Sequence, residues 1–439
     1  MTRRQALALT LAGVATAPGG AAAIAQSPVG FARGALPKRE SLARLGLERA
    51  WYAAVPFGFG NERVMAVNLA EDSIFVQTNR SNLHVFDAET GKYRWGAGLG
   101  MDTLDARPVA VNSDTVFVTN GPMMIAFDRQ TGRSVWQTRM EGSAEGASAA
   151  NEERVMVGLG SGKLVAYNAR DHSKDKIPGR SAGTFAWAWQ TRKTITARPI
   201  PANRVVAFAS QDGRVYCAID DPKTILYRFL TSGPIVGSMG THDNRTLIVP
   251  SMDGNLYGID LFTGDLRWKL AGGDPFDQEP LVDRDRVIAL TTTGRVLVVD
   301  ARSGEQIRRG DTGGGRLLAL SQTRGYLLSH DNDLAVIDRG SGQITQTPRD
   351  TRDRAGLDLR DYTIDLTNHL NDRMYFSTPS GLLLCLREAG QVVPRPLRDP
   401  KAPKFGVLPA DGDPQVVTPP IPPAAGEAKP EGEAKPEGQ

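Results

Sequence analysis

Cysteine, histidine and aromatic residues are scarce in this chain, and the shortage closes off several kinds of chemistry. Among 439 residues there are two cysteines, five histidines and 7% aromatics. Cys217 and Cys385 are far apart, and each stands inside an apolar run of strand character. The spacing of a zinc site and the paired thiols of a redox motif are therefore both missing. Each reads as a buried thiol packed as a small hydrophobe, and sequence alone leaves a disulfide between them open. His84, His172, His242, His330 and His369 include no pair at metal-ligand spacing. No nucleophile elbow, phosphate loop or catalytic-cysteine context occurs. An excess of one charge is also lacking: 52 Lys and Arg face 49 Asp and Glu, for a net charge of +3. That balance gives no reason to expect nucleic acid or an anionic membrane as partner.

What the chain does have is a repeat. Gly254 to Trp268, GNLYGIDLFTGDLRW, contains a dipeptide turn, a strand of alternating side chains, a second turn from Asp260 to Gly264, and the start of another strand at Trp268. The same pattern opens at Asp87, Asp128, Asp300 and Asp338. Weaker copies end at Asn168, Asp220 and Leu386. Successive anchors lie 41, 40, 52, 40, 40, 38 and 48 residues apart, counted along the sequence. A period of about 40 built from short alternating runs cut by Gly and Asp points to propeller blades and excludes a helical solenoid. The expected fold is all-β: an eight-bladed β-propeller of four-stranded antiparallel blades. The last repeat supplies only three clear strands, so a strand near Trp51 to Phe57 is expected to complete it and close the ring.

The ends differ from the middle. Residues 1–25 carry Arg3-Arg4, an apolar run and Ala23-Ile24-Ala25, the pattern of a cleaved signal peptide, with export by the general secretory or the twin-arginine route. No cysteine follows the run to take a lipid, and no transmembrane anchor is expected after cleavage. Residues 26–44 read as a linker, 45–391 as the propeller, and 392–439 as an extended, disordered tail rich in Pro, Lys and Glu.

The Asp-x-x-[Thr/Ser]-Gly-x-x-x-Trp motif resembles the tryptophan-docking repeat of pyrroloquinoline-quinone (PQQ) type propellers. Its fullest copies are Asp87, Gly91 and Trp95; Asp128, Gly132 and Trp136; and Asp260, Gly264 and Trp268. The resemblance covers residues 45–391 and implies that the Trp of one blade packs on the next. It implies weaker docking in blades six and seven, where Arg308 and Gln346 replace the Trp. The family includes quinoprotein dehydrogenases and the non-catalytic outer-membrane assembly factors (BamB-like). The dehydrogenases carry long inserts, an adjacent Cys-Cys pair and calcium ligands, none of which this chain has. His330-Asp331-Asn332-Asp333, the densest group of polar ligand types, reads as a solvated turn. The expectation is therefore a monomeric, non-enzymatic scaffold in the periplasm or extracytoplasmic envelope, binding an envelope protein or peptide segment, with no metal and no cofactor. The alternative is a PQQ- and calcium-dependent oxidoreductase or a cofactor-binding relative.

Candidate binding residues follow from the fold. Arg107-Pro108, Arg198-Pro199, Gly233-Pro234 and Glu279-Pro280 read as starts of innermost strands. Arg107, Arg198 and Glu279 are expected to rim one funnel, with Arg352 and Arg354 of the Arg349 to Arg360 insertion nearby, and to hold an acidic segment. A second insertion, Asp171 to Gly183, places a basic loop on the opposite face.

Overall fold

The computed structural model describes residues 35–58, 61–100, 106–171, 181–202, 205–219, 223–401 and 405–406. Seven four-stranded antiparallel sheets follow one another, spanning 64–98, 110–139, 149–190, 200–230, 240–271, 281–311 and 316–346. In each, strand order equals chain order, from the innermost strand to the outermost. The eighth sheet joins the two ends of the domain: Met374–Ser377, Leu382–Glu388 and, outermost, Leu47–Ala54. Its innermost position is held by a single bridge between Ile364 and Ser377. The N-terminal strand therefore closes an eight-bladed ring. It starts at Leu47, four residues ahead of the expected Trp51.

The two middle strands of each blade are buried on both faces, because neighbouring blades cover them. Ser73–Thr78, for example, is buried at every position. Among the described residues the apolar side chains gather into eight clusters, one per seam between blades. Cys217 lies in the seam between blades four and five and Cys385 in that between eight and one, both as free thiols.

Docking across the seams follows one geometry. In blade two, Asp128 Oδ1 accepts the Thr131 N–H at 2.7 Å, and Gly132, at φ +70°, closes the turn. A Cβ on Gly132 would lie 2.5 Å from the Trp95 ring of blade one, so only glycine lets the indole lie flat there. The Trp95 indole N–H then donates to the Arg129 carbonyl at 2.9 Å. Trp136 docks in the same way on Gly183 and Ala169, and Trp268 on Gly304 and Ala301. Tyr227 serves between blades four and five. Trp51 docks on Gly91 and donates to Ala88 O at 3.1 Å, so the N-terminal strand brings blade eight its docking residue as well as its fourth strand. Its pairing, Trp51 with Cys385 beyond a bulge, copies that of Trp95 with Val85.

Blade seven has Gln346 at the docking position, and its seam to blade eight is filled differently. The helix α1, Arg39–Arg44, inserts Leu42, which is 1% exposed, beside Leu357, Leu359 and Tyr362 of the long insertion. Residues 39–44, at the end of the expected linker, thus form a short helix that places Ser41 and Leu42 in the core. The insertion, expected as a polar loop, turns Thr351, Leu357 and Leu359 inward.

Because strands alternate in direction, the Asp-Thr-Gly turns and the turns between first and second strands share one face, here called lower. The starts of the innermost strands share the upper face with the turns between second and third strands. Beyond blade eight the chain crosses the lower face. Arg373 donates to Val392 O at 2.8 Å, and the Arg395 N–H donates to Asp372 Oδ1 at 3.0 Å. Leu397, 2% exposed, enters the core between blades six and seven, its N–H donating to Leu370 O at 2.9 Å. The Gly406 N–H reaches Asn244 O of blade five at 2.8 Å, and Phe405 packs on the core between blades four and five. Residues 392–401 and 405–406 are therefore docked where composition predicted solvated chain. Turn carbonyls along the rim meet their backbone donors, and one leucine supplies the anchor. The rest of the tail, residues 1–34 and the basic loop at 172–180 lie outside the described residues.

Candidate functional site

The innermost strands begin with residues that face the axis, and position relative to the first ladder residue decides which side chains do so. Arg198 and Glu279 each stand two residues before their strands, Ile200–Pro201 and Leu281–Asp283. Arg107 stands three before Ala110–Val111. One residue of offset turns a side chain to the other face. Arg198 and Glu279 accordingly meet, Nη2 to Oε1 at 2.6 Å, across blade five. Arg107 pairs instead with Glu145 of the next blade at 3.5 Å. Gly233-Pro234 is displaced further, since the strand of blade five starts only at Gly240. It forms a turn and contributes no strand start.

Glu279 has a second neighbour, an imidazole. His369 Nδ1 of blade eight lies 3.8 Å from the same Oε1. Arg198 comes from blade four and His369 from blade eight, on opposite sides of an eight-membered ring, so this carboxylate stands over the channel axis. Burial depresses the His369 imidazole below its ordinary value, against the pull of Glu279.

Beside this group a cleft of about 460 Å³ opens between blades six, seven and eight. Glu279 and His369 form one wall, and Arg316, His330, Asp365 and Thr367 line the rest. Arg316 begins the innermost strand of blade seven and binds Asp365 at 2.6 Å. The run Gly313-Gly314-Gly315 leads into that strand at φ +73°, +97° and +117°. A Cβ on Gly314 would lie 2.3 Å from His330 Nε2, so glycine is needed for the chain to pass beneath the imidazole. Arg316, Asp365 and His369 carry no mark in the sequence. They belong to no motif and meet only because the ring brings blades six, seven and eight together.

The remaining predicted rim residues stay in local pairs. Arg352 binds Asp333 at 2.7 Å and the exposed Arg354 binds Asp350 at 3.1 Å, both within or beside the π-helical turn Asp350–Arg354. The turn His330 to Asp333 is only half solvated. His330 and Asp331 are exposed, while Asn332 and Asp333 are buried, and burial pushes the Asp333 carboxyl up despite Arg352. Chemically the upper mouth offers guanidinium and imidazole donors beside carboxylates, an arrangement suited to exchanging one ion pair for another. Among the described residues no three His, Cys, Asp or Glu side chains gather as a metal-holding group. No described helix is long and apolar enough to cross a membrane.

Comparison with known proteins comes from three directions. A family model described as outer membrane protein assembly factor BamB matches residues 39–224 and again 221–412. Curated proteins of that name are similar over parts of their length. The one from Nitrosomonas eutropha is 21% identical over 235 residues, 50% of this chain and 54% of that protein. The one from Yersinia pestis is 21% identical over 276 residues, 57% and 67%. The one from Burkholderia pseudomallei is 25% identical over 220 residues, 49% and 51%. The chain thus spans about half the length of the first and third, and two thirds of the second. Among solved structures, BamB from Moraxella catarrhalis superposes with a TM-score of 0.62 at 16% identity, covering 78% of this chain and 97% of that one. The computationally designed Ika8 protein superposes with a TM-score of 0.58 at 15% identity, over 74% and 96%. Both likenesses speak to the fold alone.

Proposed function

The chain belongs to the BamB outer membrane protein assembly factor family, and on that premise we propose that it is an exported, non-enzymatic scaffold that holds an envelope protein. The relatives' shared name speaks of outer membrane protein assembly, which favours a protein partner over a small substrate. The observation that carries the reading is the upper mouth. Arg198, Glu279 and His369 converge on the axis from three blades, and Glu279 and Asp365 are each engaged by a guanidinium. Each of these two carboxylates already has a guanidinium beside it. They suit recognition of a charged segment by exchange of partners. The signal-peptide pattern of residues 1–25 supports work in the periplasm, and the ring is closed on itself by Leu47–Ala54.

Two experiments test this reading. In affinity purification from envelope extracts, the wild-type chain is expected to recover a protein partner. Arg107→Ala with Arg198→Ala is expected to reduce that recovery several-fold while staying folded. Unaltered capture by the folded double variant moves the site off this face. Reconstitution with PQQ and calcium, followed by dye-linked alcohol oxidation, is expected to give no turnover. Turnover overturns the non-enzymatic reading.

A further inference from the structure

We infer that the cleft between blades six, seven and eight is a receptor for a peptide carboxylate, with Arg316 as the receiving group and Asp365 as its resident stand-in. This deepens the scaffold reading and rests on it in taking the ligand to be a segment of a protein.

The two halves of the Arg316–Asp365 pair sit in different surroundings. The Arg316 side chain is 19% exposed, whereas that of Asp365 is 79% exposed. An exposed carboxylate is held by little, because water solvates it almost as well as the guanidinium does. The guanidinium gains more, since leaving a buried charge without a partner is costly. Its other bonds are meagre. Nη2 donates to Tyr362 O at a long 3.4 Å, and Nε is buried with no hydrogen-bond partner. A guanidinium so placed favours whichever carboxylate brings further contacts of its own, and Asp365 brings none. An incoming carboxylate would find the His330 and His369 imidazoles and the Ser329 hydroxyl on the same cleft. The volume of about 460 Å³ is that of a site for a short segment rather than for a single ion. Residues 392–401 and 405–406 cross the lower rim of blades five to eight, whereas this cleft lies among the starts of innermost strands on the upper face.

The chemistry is that of a carboxylate, and in a peptide it can come from an acidic side chain or from the chain end. Titration calorimetry of the full chain uses hexaglutamate amide, hexaglutamine amide and hexaglutamine free acid as probes. Hexaglutamate amide is expected to bind and hexaglutamine amide not to bind. Binding of the free acid at matching strength would assign the site to chain ends. Asp365→Asn removes the resident carboxylate and is expected to tighten binding several-fold. Arg316→Lys keeps the charge but loses the planar fork, and is expected to weaken it by about tenfold. Asp365 is at the surface, so its variant keeps the test open should Arg316→Lys fold poorly. No binding by either wild type or Asp365→Asn overturns the inference, as does equal binding by all three proteins. Capture of an envelope partner is measured separately. If capture persists while the peptides fail, this inference falls and the scaffold reading stands. If capture fails in the wild type while the peptides bind, the converse holds.

Discussion

Trp51 does for blade eight what Trp95, Trp136 and Trp268 do for blades one, two and five, and each indole lies on a glycine that has no room for a methyl group. Replacing a buried large aromatic by Ala removes its burial and leaves a cavity, at a cost of about 3 to 5 kcal/mol. Trp268→Ala and Trp51→Ala should each show a loss of that size in chemical denaturation. Gly304→Ala should also destabilise, because it meets both φ +72° and a ring atom at 2.6 Å. The anchoring aspartates add a dependence on pH. At Asp128 the Thr131 hydroxyl and amide hold the carboxyl below its usual range, and at Asp338 the Ser341 amide and hydroxyl do so. At Asp87, Asp260 and Asp300 burial pushes upward but is outweighed, at Asp260 by the Arg245 guanidinium and then the turn amides, at Asp87 by Thr90 and Arg94, and at Asp300 by the turn amides of Ser303 and Arg302. A carboxyl lowered on folding contributes stability that is full above its unfolded value, about 4, and is lost as pH falls through the folded one. Melting temperature should therefore hold from neutrality to about pH 5 and drop below about pH 4. Asp128→Asn, which keeps the acceptor and loses the charge, should flatten part of that drop. These residues were legible in the sequence because the motif repeats them at fixed spacing. Arg316 and Asp365 were not, because 49 positions separate them and only the packing of blade eight on blade seven makes them neighbours.

Strands, turns and seams were legible to different degrees. Alternation and turn chemistry located the two strands of the Gly254 to Trp268 stretch, Asn255–Asp260 and Leu266–Ala271, because a half-buried strand must alternate and a tight turn needs Asp and Gly. The docked stretch past residue 391 was hidden. Its proline-rich composition describes a chain unable to build a core, and says nothing of a chain that borrows one. Among the described residues of that stretch, Leu397 is the side chain that is buried. Leu397→Ala should cost about 2 to 5 kcal/mol, as buried leucines do. A chain ended at Gln391 should melt well below one ended at Gly406, and equal melting of the two would mean that the crossing contributes nothing. The insertion at Arg349 to Arg360 misled for a related reason. Its alternating Arg and Asp promised solvent, yet every charge pairs with a neighbour while Thr351, Leu357 and Leu359 turn into the seam between blades seven and eight, where Gln346 stands at the docking position. Deleting residues 45–57 removes both the fourth strand of blade eight and Trp51, and should abolish cooperative melting.

At the scale of the whole ring, polar side chains that no local rule connects meet over the axis: Arg198 of blade four, Glu279 of blade six and His369 of blade eight. Blade count and closure were readable from the repeat; which side chains share the axis was not, because one residue of offset before a strand sends Arg107 to Glu145 and Arg198 to Glu279. The closing blade also sets a clock. Leu47–Ala54 is among the first parts of the ring to be made and Leu382–Glu388 the last, and they pair only with each other on that edge. At about 5 to 20 residues per second the interval between them is roughly 20 to 70 s. Over that time the leading strand, with its indole, waits without a partner. The protein exists as a closed ring only after its final strand has been delivered, and until then the edge that Leu47–Ala54 will occupy stays open to mispairing.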